Sequence, residues 1–283
     1  MNGIIIIDKE KGVTSRDVVN IASKKLNTKK IGHTGTLDPI ATGVLVLCIG
    51  KATKISELIT SYDKTYLATI KLGIETNTLD ITGETIKERE APLLTEKKIS
   101  EVLDSFLGVT EQEVPSYSAV KIKGKKLYEY ARNNIEIELP KRKIEVYNIK
   151  LIDYKNNLIT FQVKVSKGTY IRSLIKDICL KLKTIGTMSD LRRLTQGDFL
   201  IEQAIKIEEL DDKTKLISIN EALKEIQFEE VFGEKEAAIK NGKIMEKDFS
   251  GDLIKYLNQS GEVIAIYKTY LKDKTKIKPY KTF

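Results

Sequence analysis

The chain opens on an unbroken apolar run, Ile4-Ile5-Ile6-Ile7, and a second follows at Val44-Leu45-Val46-Leu47-Cys48-Ile49. Both have strand length, and apolar runs of this kind suit strands buried within a sheet. Between them Thr14 or Ser15 is placed to cap a helix reaching to about Leu26, with Val18, Val19 and Ala22 on one face. Residues 51–59 read as a further helix after Gly50. Residues 66–72 alternate apolar and polar, as a half-buried strand does. Residues 95–107 carry Ile99, Val102, Leu103 and Phe106 at helical spacing and stop at Gly108. Residues 127–132 predict a short helix. Residues 144–154 and 158–165 predict a hairpin across Lys155-Asn156-Asn157. A helix over 169–183 and a strand over 191–200 complete this part.

Strands and helices mix without a strict alternating unit. The pattern therefore predicts an α+β fold with a mixed, largely antiparallel sheet flanked by helices. Residues 208–230 read as a charged helical stretch bridging to a second unit. Beyond it Gly233, Gly242, Gly251 and Gly261 punctuate short strand-like runs, the spacing of a small β-barrel or sandwich. The expected division is a catalytic domain over 1–228 and a small barrel over 229–283.

The chain has 283 residues, 41% of them hydrophobic, enough for one large domain or two ordinary ones. No apolar run approaches a bilayer span. The start lacks the basic region of a signal peptide, and Cys48 and Cys179 form no disulfide framework. A cytoplasmic protein without membrane association is expected. The net charge of +8 points to an anionic partner, nucleic acid first. Residues 121–143 hold eight basic side chains against three glutamates, with Tyr128 and Tyr130 interleaved, and residues 231–283 hold eleven lysines against seven acids. Basic runs with aromatics suit a phosphate backbone and unstacked bases.

One carboxylate stands out. Asp38 lies in Gly32-His33-Thr34-Gly35-Thr36-Leu37-Asp38-Pro39-Ile40-Ala41-Thr42-Gly43, directly before the second apolar strand. An acid on a stiff turn against a buried strand is accessible yet held in place, which nucleophilic or acid–base work requires. An Asp-Pro turn alone would also explain it. There is no phosphate-cradling Gly-Lys-Ser/Thr loop, no dinucleotide glycine motif and no Cys/His zinc spacing. His33 is the only histidine, which leaves none beyond this motif for a histidine-based triad and excludes a multi-histidine metal site. No cofactor and no metal are expected.

The whole string Gly32-His33-Thr34-Gly35-Thr36-Leu37-Asp38-Pro39-x-Ala41-x-Gly43-x-Leu45 resembles the active-site motif of the TruB family of tRNA pseudouridine synthases. The opening strand through Lys9, Asp63-Lys64-Thr65-Tyr66, Pro115-Ser116-Tyr117-Ser118-Ala119, Gly124 to Arg132, Gly168-Thr169-Tyr170-Ile171-Arg172 and Leu191-Arg192-Arg193-Leu194 are similar to further blocks of that family, in family order. The ending Lys276-Ile277-Lys278-Pro279-Tyr280 resembles the close of PUA domains, small RNA-binding barrels often attached to it. The resemblance implies an isomerase that converts the T-arm uridine of tRNA (position 55 in tRNA convention) to pseudouridine by base flipping and an aspartate-dependent rearrangement. It implies Asp38, Tyr66 and Arg172 as catalytic residues. His33, Tyr170, Leu191 and Lys9 are implied as substrate-binding. It implies action as a monomer with no protein partner. A carboxylate must be ionised to attack, and burial disfavours charge, so a cationic partner such as Arg172 is expected. Two alternatives stay open: a guide-RNA-dependent synthase of the dyskerin type, and an RNA-binding or tRNA-folding module.

Overall fold

The computed structural model describes residues 1–133 and 135–283. Strands β1 (Gly3–Lys9), β2 (Ile31–His33), β3 (Thr42–Ile49) and β4 (Lys64–Leu72) come first. A small hairpin follows, β5 (Ile74–Thr76) and β6 (Thr85–Glu88), then β7 (Gly108–Glu113) and a second small hairpin, β8 (Lys121–Ile122) and β9 (Lys125–Lys126). The long hairpin β10 (Lys141–Lys155) and β11 (Leu158–Val165) precedes β12 (Gly186–Gln196) and β13 (Phe199–Leu200). The main sheet runs β1-β3-β12-β4-β11-β10-β7, with β2 added beside β3 and β13 beside β12. All of its pairings are antiparallel except β12 against β3.

The apolar runs are explained by burial on both faces. From β1 and β3, Ile5, Ile7, Leu45, Leu47 and Ile49 enter one core, while Ile4, Ile6, Val44, Val46 and Cys48 enter another on the opposite face. Helices α1 (Ser15–Lys25), α3 (Glu96–Asp104) and α5 (Ile171–Lys181) supply Val18, Val19, Ile99, Leu103, Leu174 and Ile178 to the first core. Helix α2 (Ser56–Thr60), after a 3-10 turn over Gly50–Ile55, supplies Ile59 to the second. Thr14 caps α1, its side chain accepting from the Asp17 amide while Asp17 accepts from the Thr14 amide. Asn156 and Asn157, both at positive φ, make the tight turn between β10 and β11. The short helix at 127–132 is α4 (Leu127–Arg132).

The charged helical stretch expected over 208–230 does not form. The segment contains a 3-10 turn, the one-turn helix α6 (Ile219–Ala222) and strand β14 (Phe228–Glu230). Asp211 folds its carboxylate back onto the Lys213 amide and Thr214 hydroxyl, a turn that competes with helix. Ile217 then exchanges backbone hydrogen bonds with Ile4, which draws the segment along the edge of β1. The punctuated tail is also part helix: the run after Gly233 is α7 (Gly233–Lys240). The remainder is β15 (Met245–Glu246), β16 (Leu253–Leu257), β17 (Val263–Tyr270) and β18 (Asp273–Thr282), and with β14 they form a five-stranded sheet ordered β14-β16-β17-β18-β15. This curled half-barrel fits a PUA-like unit. Ile239 of α7 packs with Ile254, Tyr256, Tyr267 and Ile277 inside it. Leu257, Val263 and Ile266 instead join Ile4, Ile6, Val44 and Val46.

Candidate active site

Asp38 sits on the loop between β2 and β3, and the loop is clamped from several sides. The Ser15 hydroxyl accepts from the Leu37 amide at 2.8 Å and donates to the Leu37 carbonyl at 3.1 Å. The Gly12 amide donates to the Pro39 carbonyl at 2.8 Å. The Thr34 amide donates to Val46 and the Ala41 amide back to Asp38, each at 3.0 Å. So many local bonds leave the Asp38 carboxylate, one-third exposed, in one place at the edge of a cavity.

Arg172, in the first turn of α5, turns a nearly buried guanidinium onto that carboxylate. Its Nε lies 3.0 Å from Oδ2 and its Nη2 3.3 Å from Oδ1, a side-on pair. The remaining donors reach the Thr78 carbonyl (2.9 Å) and the Tyr117 carbonyl (3.0 Å). Asp80, also buried, stands 3.8 Å from Nη1. A planar fork satisfied on every side fixes both its own direction and that of Asp38.

The cavity holds about 990 Å³. Asp38, Tyr66, Tyr170, Leu191 and Arg172 all line it, so five of the seven expected site residues meet in one place. Tyr66 points inward from β4, and burial raises its phenol above the ordinary value, an effect that Arg193 opposes. Tyr170 precedes α5, its backbone held at both ends by the Gln112 amide, at 2.8 and 3.0 Å. Leu191 faces it from β12, directly opposite Ala68 of β4.

His33 and Lys9 lie outside the lining. The His33 ring accepts from the Gly35 amide at 3.3 Å, and burial lowers its basicity. Lys9 is almost fully buried and its ammonium donates to the Glu10 and Val13 carbonyls, both at 2.8 Å, and to Pro39 at 3.4 Å. It thus ties the turn after β1 to the Asp38 loop. Burial pulls it down to about 8, with Asp38 opposing.

Two lining cations were assigned no role by the sequence. Arg193 is buried against the Tyr66 ring, 5.9 Å from its centroid. Lys64 is buried with its ammonium donating to Thr60 and Tyr62 carbonyls at 2.7 and 2.6 Å, and burial, then Arg193, lowers it to about 8. The signal that finds both is period two: Lys64 stands two before Tyr66 on β4, and Arg193 two after Leu191 on β12, each on its neighbour's face. Arg142, Lys143 and Lys167 line the same cavity. The positive excess around one accessible carboxylate suits a polyanionic ligand.

Comparison with known proteins places the chain in a family. Residues 23–171 match the family described as TruB family pseudouridylate synthase, N-terminal domain, and residues 172–228 match the tRNA pseudouridylate synthase B C-terminal domain. The tRNA pseudouridine synthase B of Alkaliphilus oremlandii is 52% identical over 210 residues, 74% of this chain and 70% of that protein. That of Mesoplasma florum is 41% identical over 94% of this chain and 93% of its own, and that of Staphylococcus aureus (strain MSSA476) 39% identical over 100% and 99%. Among solved structures, a chain of a Cbf5-Nop10-Gar1 complex superposes with TM-score 0.75 at 27% identity, covering 99% of this chain and 84% of that one. A chain of an H/ACA RNP bound to a substrate RNA containing 2'-deoxyuridine gives 0.74 at 26%, with the same coverage. The clamped aspartate, its arginine and the aromatic cavity walls thus stand in a chain that belongs to the TruB family of pseudouridine synthases.

Proposed function

We propose that the protein isomerises the T-arm uridine of free tRNA, position 55 in tRNA convention, with Asp38, Tyr66 and Arg172 at the reacting centre. The observation that carries this is the side-on Asp38–Arg172 pair at the edge of a cavity walled by Tyr66, Tyr170 and Leu191. In the reaction the bond from sugar C1′ to uracil N1 breaks, the base turns, and C1′ bonds to C5. The C5 proton leaves and N1 gains one, so no oxidant, metal or energy donor enters. Asp38 is the carboxylate in reach of the sugar or base. Tyr66 and Leu191 sandwich the extruded ring, and extrusion costs least from an already irregular loop. Relatives at 39–52% identity carry the tRNA name, against 26–27% for the RNP chains, which favours action without a guide. On this reading the enzyme works in the cytoplasm as a monomer, with a catalytic unit over 1–228 and a PUA-like RNA-binding unit over 229–283.

Tritium release from a naked tRNA transcript carrying 5-tritiated uridine tests the proposal. Release without added RNA is expected, and its loss when only the T-arm uridine is replaced by cytidine. Release that requires a guide strand overturns the proposal in favour of the dyskerin-type reading. No release, with tRNA bound, favours the binding module.

A further inference from the structure

Arg193 is a buried cation that the site as described does not employ. Its side chain is 1% exposed and forms no ion pair among the described residues. An uncompensated buried charge is costly, and folds keep one only where its surroundings over-determine it. Those surroundings are specific. Nη2 donates to the Gly35 carbonyl at 3.0 Å, and Nη1 lies 3.5 Å from the Gln196 side-chain oxygen. Gln196, fully buried, donates to the Thr34 carbonyl (3.0 Å) and hydroxyl (2.9 Å) and to Ile59 (2.9 Å). Among the described residues Arg193 Nε has no hydrogen-bond partner. The guanidinium therefore holds the first residues of the Asp38 loop directly and through Gln196, while it lies against the Tyr66 ring.

The backbone is arranged to admit this side chain. Arg193 is opposite Tyr66 on β4 and beside Gly43 on β3, where three strands meet and β12 pairs in parallel with β3. A Cβ on Gly43, which has φ +98°, would stand 2.2 Å from the Arg193 carbonyl oxygen. A Cβ on Gly35 would stand 3.0 Å from Nη1. Gly43 thus leaves room for the backbone at Arg193, and Gly35 for its guanidinium.

We propose that Arg193 is a positioning residue for the isomerisation. Acting through the Gly35 carbonyl and the Tyr66 ring, it sets the distance between the Asp38 carboxylate and the aromatic wall against which the base is held. This rests on the reading of Asp38 and Tyr66 as reacting groups. Errors of about 1 Å in such a distance cost on the order of 100-fold in rate. Asp38 itself stays paired with Arg172, and the phosphate-facing cations are others, so tRNA affinity is not what Arg193 controls.

The experiment uses the full chain with tritiated tRNA under single-turnover conditions, alongside tRNA binding and thermal melting. Arg193→Met is expected to lower the rate per folded molecule by roughly 100-fold, with tRNA affinity within about threefold of the parent. Arg193→Lys, which keeps the charge but cannot span Gly35 and the ring, should recover only part of it. Gly35→Ala keeps the arginine and pushes its Nη1; it should reproduce the rate defect in milder form, and it covers the case in which Arg193→Met does not fold. Asp38→Asn is run beside them. Inactive Asp38→Asn with normal rates in Gly35→Ala and in either folded Arg193 variant overturns the inference alone. An active Asp38→Asn overturns the reading beneath it. A defect that follows only the folded fraction, or only tRNA affinity, assigns Arg193 to packing or to binding and overturns the proposal as well.

Discussion

At Asp38 both carboxylate oxygens face a single guanidinium, and no other acid lies in the loop. Asp38→Asn keeps shape and removes charge. Turnover is expected to vanish while tRNA binding, spread over surface phosphate contacts, stays within a fewfold by filter binding. Arg172→Lys cannot reach Thr78, Tyr117 and both Asp38 oxygens together. Each buried carbonyl left without a donor costs roughly 1–3 kcal/mol, so a lower melting temperature should accompany a rate loss of about 100-fold or more. The lysines give the site a pH dependence. Lys9 and Lys64 are held down to about 8 chiefly by burial. Both are charged below that value and neutral above it, so as pH rises through it positive charge is lost from the cavity wall at Lys64 and from behind the Asp38 loop at Lys9. KM for tRNA at low salt should climb between about pH 7 and 9, and climb less in Lys64→Met; a flat profile would contradict the assignment. Asp38, Tyr66, Arg172, Tyr170 and Leu191, named from separate motifs, meet in one cavity, whereas His33, from the same motif as Asp38, and Lys9 lie outside its lining. Arg193 and Lys64 share the faces of Leu191 and Tyr66 by period two, but that these faces of β12 and β4 bound one cavity depends on how the strands pair, which is a property of the sheet.

Among elements, those with both a periodic apolar face and a stop signal were readable within a few residues: α1 with its Thr14 cap, α3 before Gly108, and the β10–β11 turn at Asn156 and Asn157. The stretch at 208–230 was not, because its fate is decided by a partner 200 residues away in sequence, the free edge of β1. The segment from β8 through α4 to the start of β10 is a special case. Tyr128, Arg142 and Lys143 contribute to the cavity wall, yet among the described residues β8 and β9 pair only with each other, and Lys126 and Arg132 crowd the Tyr128 ring, both at 5.3 Å. With so many like charges and few buried anchors, it should be the part of the wall most ordered by RNA. Hydrogen exchange is expected to slow there on adding tRNA more than in β4 or β12. Equal protection with and without tRNA would show a preformed wall.

For the molecule as a whole, the two sheets do not behave as beads on a string. The tail carries eleven lysines and seven acids, a net +4 of the total +8, which suits RNA. Its removal is a poor test of that idea, because Leu257, Val263 and Ile266 share one buried cluster with Ile4, Ile6 and Val46. Truncation before 231 should therefore lower the melting temperature of what remains. Surface changes are cleaner: Lys268→Gln, Lys278→Gln and Lys281→Gln leave the core intact. If these lysines meet phosphates, each should reduce the log–log salt slope of tRNA binding by roughly 0.7–0.9. An unchanged slope in the triple variant would remove this face from the RNA-binding surface.

The packing of β1 against the last strands also bears on how the chain comes to be made. Synthesis delivers Ile4 and Ile6 long before Val263 and Ile266, which belong to the same buried cluster, and contacts this far apart in sequence form slowly. Earlier segments, through Ile55, Ile59 and Phe199, already enter that cluster. A nascent chain can thus shape the Asp38 loop and partly bury this face early, and the cluster is complete only when the C-terminal strands emerge.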